Sequence, residues 1–378
     1  MPKGRRIIWL SPPRTRAPPP PPPPPPQTKR EQLKLELAPL PKRPRQLTLA
    51  SAFCDAESRG RASPKPVHVD VYDLYCCAGG FSCGAVQAGH TVKLAVDYWE
   101  EALHCHAINH PETEHLLLAL GDDTHDTLLE KLPPPATAET PWHLHGSPPC
   151  QLLSRARGVG ARADRWDEGM ANVVYFLRVA RETKPSGWTM EEVANPVLIE
   201  YFEELRSTEP DFLDFSVFNM YEFNICQKRK RLIAGSPHLI RRLRDRRDPT
   251  AHARVCDVCP DRPDDAIGIR GNSFTVGRRN AERNRKGLQG ARHQRTAEQR
   301  VKPGGLSGPA PCVCSGGNLT WTREGGEVVR SLNVRELSNL QSFPSTYEWP
   351  SRLTHAQPLI GNAVPPLFAR QMMLDYRL

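Results

Sequence analysis

The chain has 378 residues, 38% of them hydrophobic, with 51 Lys and Arg against 42 Asp and Glu and a formal net charge of +9. That length holds one large domain and a smaller one, and no apolar run approaches the ~20 residues a membrane helix needs. The eleven irregularly spaced cysteines read as reduced thiols of an intracellular protein, and the N-terminus lacks the apolar core of a secretion signal.

Charge is unevenly placed. Residues 1–66 carry 14 Lys and Arg against 4 Asp and Glu, a net of +10. Residues 227–305 carry 21 against 8, a net of +13, which leaves −14 for the remainder. Basic segments of that size suggest a polyanion partner, most simply nucleic acid, with a solvated charged surface as the alternative.

Residues 1–66 read as a disordered tail. Nine consecutive prolines, Pro18 to Pro26, favour an extended helix that builds no core. Lys42, Arg43 and Arg45 form a short basic run, either a nuclear import signal in a eukaryotic host or a linker. Order is expected from Val67. "VDVYDLY" (69–75), "TVKLAVD" (91–97), "HLLLAL" (115–120), "WHLHG" (142–146) and "GWTMEEV" (187–193) have strand character. Helical patterns stand between them, notably 169–183. Alternation of this kind predicts a mostly parallel α/β sheet with ligands at the carboxyl ends of its strands. The expected divisions are a catalytic and cofactor-binding domain over 67–235, a loop-rich basic module over 236–330, and a segment over 331–378 that returns to the first.

Four pieces carry chemistry. "DLYCCAGGFSCG" (73–84) is a strand, a glycine turn and a helix start, and glycines let a ligand approach the backbone. Asp97 ends the next strand, where a carboxylate can hold ribose hydroxyls, so an adenosine-containing cofactor is expected. "GSPPCQ" (146–151) holds Cys150 on a stiff turn short of N–H donors; a nucleophile is one reading and a packed core thiol the other. "EEV" (191–193) places a carboxyl group at a strand end. In "QKRKR" (227–231) the alternate residues Arg229 and Arg231 share one strand face.

In order along residues 69–378, these pieces resemble the cytosine-5 DNA methyltransferases, with "RELSNLQSFP" (335–344) and "GNAVPP" (361–366) as two further motifs. The resemblance implies an S-adenosylmethionine-dependent methyltransferase with a Rossmann-like α/β sheet and a small, loop-rich target-recognition domain. It implies DNA as partner, no membrane and a monomeric enzyme. By resemblance Cys150 is the nucleophile, Glu191 the partner of the ring nitrogen, Arg231 the contact to the pyrimidine carbonyl and Arg229 a positioning group. Cofactor contacts are implied for Asp73, Tyr75, Ala78, Gly79, Gly80, Phe81, Asp97, Tyr98, Asp122, Pro148, Asn362 and Val364. Substrate contacts are implied for Gln151, Ser154 and Gln227.

The chain departs from the family pattern at several places. Cys77 and Ser147 stand where glycine is usual, Glu192 where asparagine is usual, and "APCVC" (310–314) replaces a threonine-rich segment. A catalytically silent DNA-binding protein on the same fold and an RNA cytosine methyltransferase are the alternatives. Cys256, Cys259, Cys312 and Cys314 offer the four thiolates of a structural zinc site. The single residue between the last two favours reduced structural cysteines, so no metal is expected.

Overall fold

The main sheet is built from β1 (Asp70–Leu74), β2 (Thr91–Asp97), β3 (Glu114–Leu117), β4 (Trp142–Gly146), β5 (Gly187–Val193), β6 (Asp214–Asn219) and, after the short β7 (Gln227–Lys228), β8 (Lys230–Gly235). Interleaved are α1 (Gly80–Gln87), α2 (Glu100–Asn109), α3 (His125–Leu129), α4 (Trp166–Thr183), α5 (Pro196–Thr208) and α6 (Pro237–Asp245). The strand order is β3-β2-β1-β4-β5-β8-β6. Strands β1 to β5 are parallel, and β8 runs against both of its neighbours. The chain reverses its direction of winding between β1 and β4. That switch point opens a crevice beyond the carboxyl ends of the strands.

The structure is a computed structural model that describes residues 66–149, 166–251, 253–272, 304–316, 318–324 and 327–377, all within the compact unit Ser63–Leu378. The proline run, Lys42, Arg43, Arg45, Cys150, Gln151 and Ser154 lie outside the described residues.

Alternation along the strands sorts side chains onto the two faces of the sheet. Leu74 of β1 and Leu232 of β8 join Phe176 of α4 and Phe202 of α5 in one apolar cluster. Val71 of β1 and Ile233 of β8 face the other way, with Leu239 and Ile240 of α6. The stretch from 236 therefore begins with an amphipathic helix packed on the main sheet. Strand β4 is buried at all five positions, so its two histidines must find partners inside. His143 meets Tyr376 Oη at 3.2 Å and Thr189 Oγ1 at 2.9 Å. Burial holds both imidazoles well below their ordinary pKa.

A second sheet follows. After α7 (Val255–Val258), strands β9 (Gly268–Asn272), β10 (Gly304–Gly305), β12 (Asn318–Thr322) and β13 (Val328–Ser331) pair antiparallel in the order β10-β9-β12-β13. The short β11 (Ala310–Pro311) pairs instead with β7. Helices α8 (Val334–Leu340) and α9 (Leu353–Asn362) share a core with this sheet, where Trp321 packs among Ile269, Leu337 and Ile360. The last helix, α10 (Pro366–Met373), packs on α1, and the Val67 N–H donates to the Tyr376 carbonyl at 2.8 Å. Among the described residues no helix is long and apolar enough to cross a membrane.

Candidate active site

The turn after β1 holds three residues in the left-handed region: Tyr75 (φ 56°), Cys77 (φ 48°) and Gly79 (φ 87°). The cost of that conformation for a residue with a Cβ explains why glycine is usual at the Cys77 position. The turn is tied to β2 through Asp97, whose Oδ2 accepts the Cys77 N–H at 2.8 Å and whose Oδ1 accepts the Trp99 N–H at 2.9 Å. A Cβ on Gly79 would lie 2.8 Å from both His106 Cδ2 and Tyr347 Oη, and the Tyr347 hydroxyl donates to the Ala78 carbonyl. At Gly80 a Cβ would overlap the Val364 carbonyl oxygen. The two motifs furthest apart in sequence therefore meet backbone to backbone.

Asp73 is buried at the end of β1. Ser82 Oγ donates to its Oδ2 at 2.6 Å, while Asp73 Oδ1 and the Tyr75 hydroxyl have no hydrogen-bond partner among the described residues. Burial moves the Asp73 carboxyl up to about 7. Phe81 stacks on the His145 ring at a centroid distance of 3.5 Å. His145 also reaches Thr189 Oγ1 at 2.9 Å and Ser147 Oγ at 3.1 Å. Ser147 thereby anchors the proline turn that leads to Cys150; Pro148 is buried and Pro149 half-buried. Around the same sheet edge, the Tyr98 ring is 56% exposed. Asp122 is exposed and ion-paired with Arg178 at 2.9 Å. Asn362 is half-buried at the end of α9, with Val364 buried just beyond it.

Strands β5 and β8 bring the charged groups together. Val193 pairs with Arg231 and Glu191 with Ile233, so Arg231 and Glu191 lie diagonally on one face. Arg231 Nε is 2.7 Å from Glu191 Oε1, and Arg229 Nη2 is 3.9 Å from the same oxygen. Arg229 is 1% exposed. It donates to the carbonyls of Val313, Gly361 and Ala363 at 3.0–3.1 Å, which joins the 312–314 segment to the "GNAVPP" turn behind Glu191. Glu192 points to the opposite face and is fully buried. Its Oε2 accepts the Val193 N–H at 2.6 Å, and burial raises its carboxyl well above the usual range. That direction favours the neutral acid at a position where the family pattern has a neutral amide.

Gln227 is also fully buried. Its amide donates to the Leu340 carbonyl at 3.0 Å and to Gln341 Oε1, and its Oε1 accepts the Val313 N–H at 3.1 Å. In this structure it is a framework residue facing the interior. The four cysteines considered for zinc do not converge: Cys259 Sγ donates to the Glu336 carbonyl at 3.9 Å, while Cys312 lies beside Arg229. Among the described residues no group of three or more His, Cys, Asp or Glu is arranged to hold a metal ion.

A family model for C-5 cytosine-specific DNA methylases matches residues 69–238 and 262–375. The chain belongs to this family. The type II methyltransferase M1.HphI of Haemophilus parahaemolyticus is 27% identical over 333 residues, covering 79% of this chain and 84% of its own. M.HgiDI of Herpetosiphon aurantiacus is 26% identical over 311 residues, covering 78% and 89%. The crystal structure of the S. pombe Dnmt2 methyltransferase shares the fold, with a TM-score of 0.54 at 14% identity over 80% of this chain and 96% of that one. In this DNA cytosine-5 methylase several residues of the site have no signal in the local sequence. Tyr347 reaches Ala78 across 269 positions, and Gln341 binds the Ile360 and Ala363 carbonyls from a helix end. His145 was legible only as part of a strand.

Proposed function

We propose that the carboxyl edge of the main sheet transfers a methyl group from S-adenosylmethionine to carbon 5 of a cytosine flipped out of DNA. The observation that carries this reading is the meeting of Glu191 with Arg231 and Arg229, at the strand end next to the proline turn that leads into Cys150.

The residues around the β1 turn fit the cofactor. Among the described residues Asp73 Oδ1 and Tyr75 Oη are buried polar atoms without hydrogen-bond partners, which favours a polar ligand at the turn. Asp122 and the Tyr98 ring are exposed at neighbouring strand ends. Asp97 uses one lone pair of each oxygen on backbone N–H groups and keeps the others for ribose hydroxyls. Asn362 and the Ala78–Phe81 turn would hold the amino-acid end. When bound, S-adenosylmethionine supplies the electrophilic methyl group.

The chain's own groups supply the rest. The Cys150 thiolate adds to carbon 6, and the displaced ring electrons make carbon 5 nucleophilic, so one hard step becomes two easier ones. Glu191 holds a proton at ring nitrogen 3, and Arg231 neutralises charge at the carbonyl oxygen. Arg229 acts behind them: it braces the 312–314 segment against the turn at 361–363 and adds a second positive charge near Glu191. Loss of the carbon-5 proton then breaks the carbon–sulfur bond. Flipping a base costs a few kcal/mol, and phosphate contacts from the basic residues between 227 and 305 offset it. The β10-β9-β12-β13 sheet is the recognition module in this reading.

The test is expression in a host without cytosine methylation, followed by sequencing that resolves 5-methylcytosine. Methylated cytosines in a defined sequence context support the reading. Unmodified DNA together with labelled methyl groups in RNA would overturn it.

A further inference from the structure

Cys312 and Cys314 flank Val313 on the segment that Arg229 clamps, and the reaction above uses neither thiol. Cys312 is half-buried and Cys314 is exposed. Arg229 Nη1 lies 3.8 Å from Cys312 Sγ. The Cys314 thiol donates to the Cys312 carbonyl at 3.5 Å, and that neighbouring thiol, with the charges of Arg229 and Arg231, holds Cys312 well below the ordinary thiol range. By contrast Cys83, Cys105, Cys226 and Cys259 are buried, and burial pushes each up to about 12. A thiolate beside a second, solvent-facing thiol is the arrangement that oxidises selectively.

We propose that Cys312 and Cys314 form an oxidative modification site: a small disulfide of the glutathione class closes them into an intramolecular disulfide, which slows methyl transfer by loosening Arg229. The Cys312 thiolate attacks one sulfur of the small disulfide, whose S–S bond breaks and releases one thiol. Cys314, giving up its proton, then attacks the Cys312 sulfur and expels the second. Two protein thiols are oxidised, one small disulfide is reduced to two thiols, and both protons leave on those thiols.

The geometry explains why the change would reach the site. A disulfide brings its sulfurs to about 2.05 Å and its Cα atoms to roughly 4.4–6.8 Å. The Cys314–Ser315 peptide already fills the space where Gly361 would carry a Cβ, so that side has no slack. Val313 must turn, and it is Val313 that donates to Gln227 Oε1 and accepts from Arg229.

The effect on turnover rests on the proposed role of Arg229, but disulfide formation does not, so the two are read separately. The full-length protein is equilibrated in glutathione redox buffers, alkylated and mapped by mass spectrometry, with methyl transfer measured in parallel. We expect the 312–314 peptide to lose two hydrogens and turnover to fall about tenfold, the worth of one charge-assisted contact, with dithiothreitol restoring both. Cys314→Ser keeps reduced-state turnover and resists the oxidant. A 312–314 peptide that stays reduced under oxidising buffer would overturn the site. A disulfide that forms while turnover stays constant would overturn the coupling to Arg229. Equal inhibition of wild type and Cys314→Ser, tracking modification of Cys150, would also overturn it.

Discussion

Arg231 Nε meets Glu191 Oε1 at 2.7 Å across the antiparallel pair of β5 and β8, with both side chains largely buried. The contact is diagonal rather than directly opposite, so it depends on the register of two strands about forty positions apart in sequence. It joins the carboxyl group assigned to the ring nitrogen with the guanidinium assigned to the carbonyl.

In the proposed reaction Glu191 supplies the proton at ring nitrogen 3, which the amide of Glu191→Gln cannot do. We expect methyl transfer to fall by about 10²–10³-fold with little change in DNA affinity. Combining it with Arg231→Ala should cost less than the product of the two single effects, because the residues act as a unit. Turnover of the four proteins on one duplex checks this; strict multiplicativity would separate the two roles.

Arg229 is a different case, since its donors go to backbone carbonyls rather than to solvent. Arg229→Ala leaves three buried carbonyls without their donor and Glu191 with Arg231 alone, and should cost about 3–5 kcal/mol of stability. Arg229→Lys should recover little, because a point charge cannot span carbonyls on two segments as a planar fork does. Denaturant titration of the three proteins measures both expectations.

The buried carboxyls set a pH dependence whose sign is fixed by burial. The folded chain keeps a proton on Asp73 up to about pH 7, while an unfolded chain releases it near 3.8. The stability Asp73 contributes is therefore complete below 3.8 and lost as the pH rises through 7. Asp73→Asn does not titrate. Relative to wild type it should gain on the order of 4 kcal/mol between pH 4 and pH 8. Glu192→Gln should gain in the same direction, since burial raises that carboxyl too. Melting curves at the two pH values report the difference, and a constant gap would contradict the burial argument.

Cys77 stands at φ 48°, and its thiol reaches the Leu359 carbonyl at 3.7 Å. Cys77→Gly gives up that weak contact and relieves a left-handed backbone, a net gain of up to about 1 kcal/mol. Cofactor affinity by calorimetry should be equal or slightly better. A marked loss of affinity would mean that the thiol itself helps shape the site.

Much of the sheet was readable from the chain. "TVKLAVD", "WHLHG" and "GWTMEEV" are strands with those same limits, because runs of apolar residues bounded by turns leave few other conformations. The strand in "HLLLAL" is shorter, Glu114–Leu117. Its apolar run continues past the strand end, where Leu118 N–H turns to the Asp97 carbonyl. The Arg-rich stretch after 235 reads as loop, yet Leu239, Ile240 and Leu243 give α6 an apolar face packed on the main sheet. Contacts made across hundreds of positions left no local trace. Tyr347 behind Gly79 is one, and Gly80 against Val364 another. Gln227 shows the converse: a polar residue inside a charged motif that the fold turns inward.

Covalent trapping on a duplex carrying 5-fluorocytosine in the methylated context, with S-adenosylmethionine present, tests Cys150 as the nucleophile. Fluorine cannot leave carbon 5 as a proton does, so the adduct at carbon 6 persists. We expect a one-to-one protein–DNA complex that survives denaturation with wild type and is absent with Cys150→Ser. A stable complex formed by Cys150→Ser, or labelled methyl transfer by that variant at the wild-type rate, would contradict it.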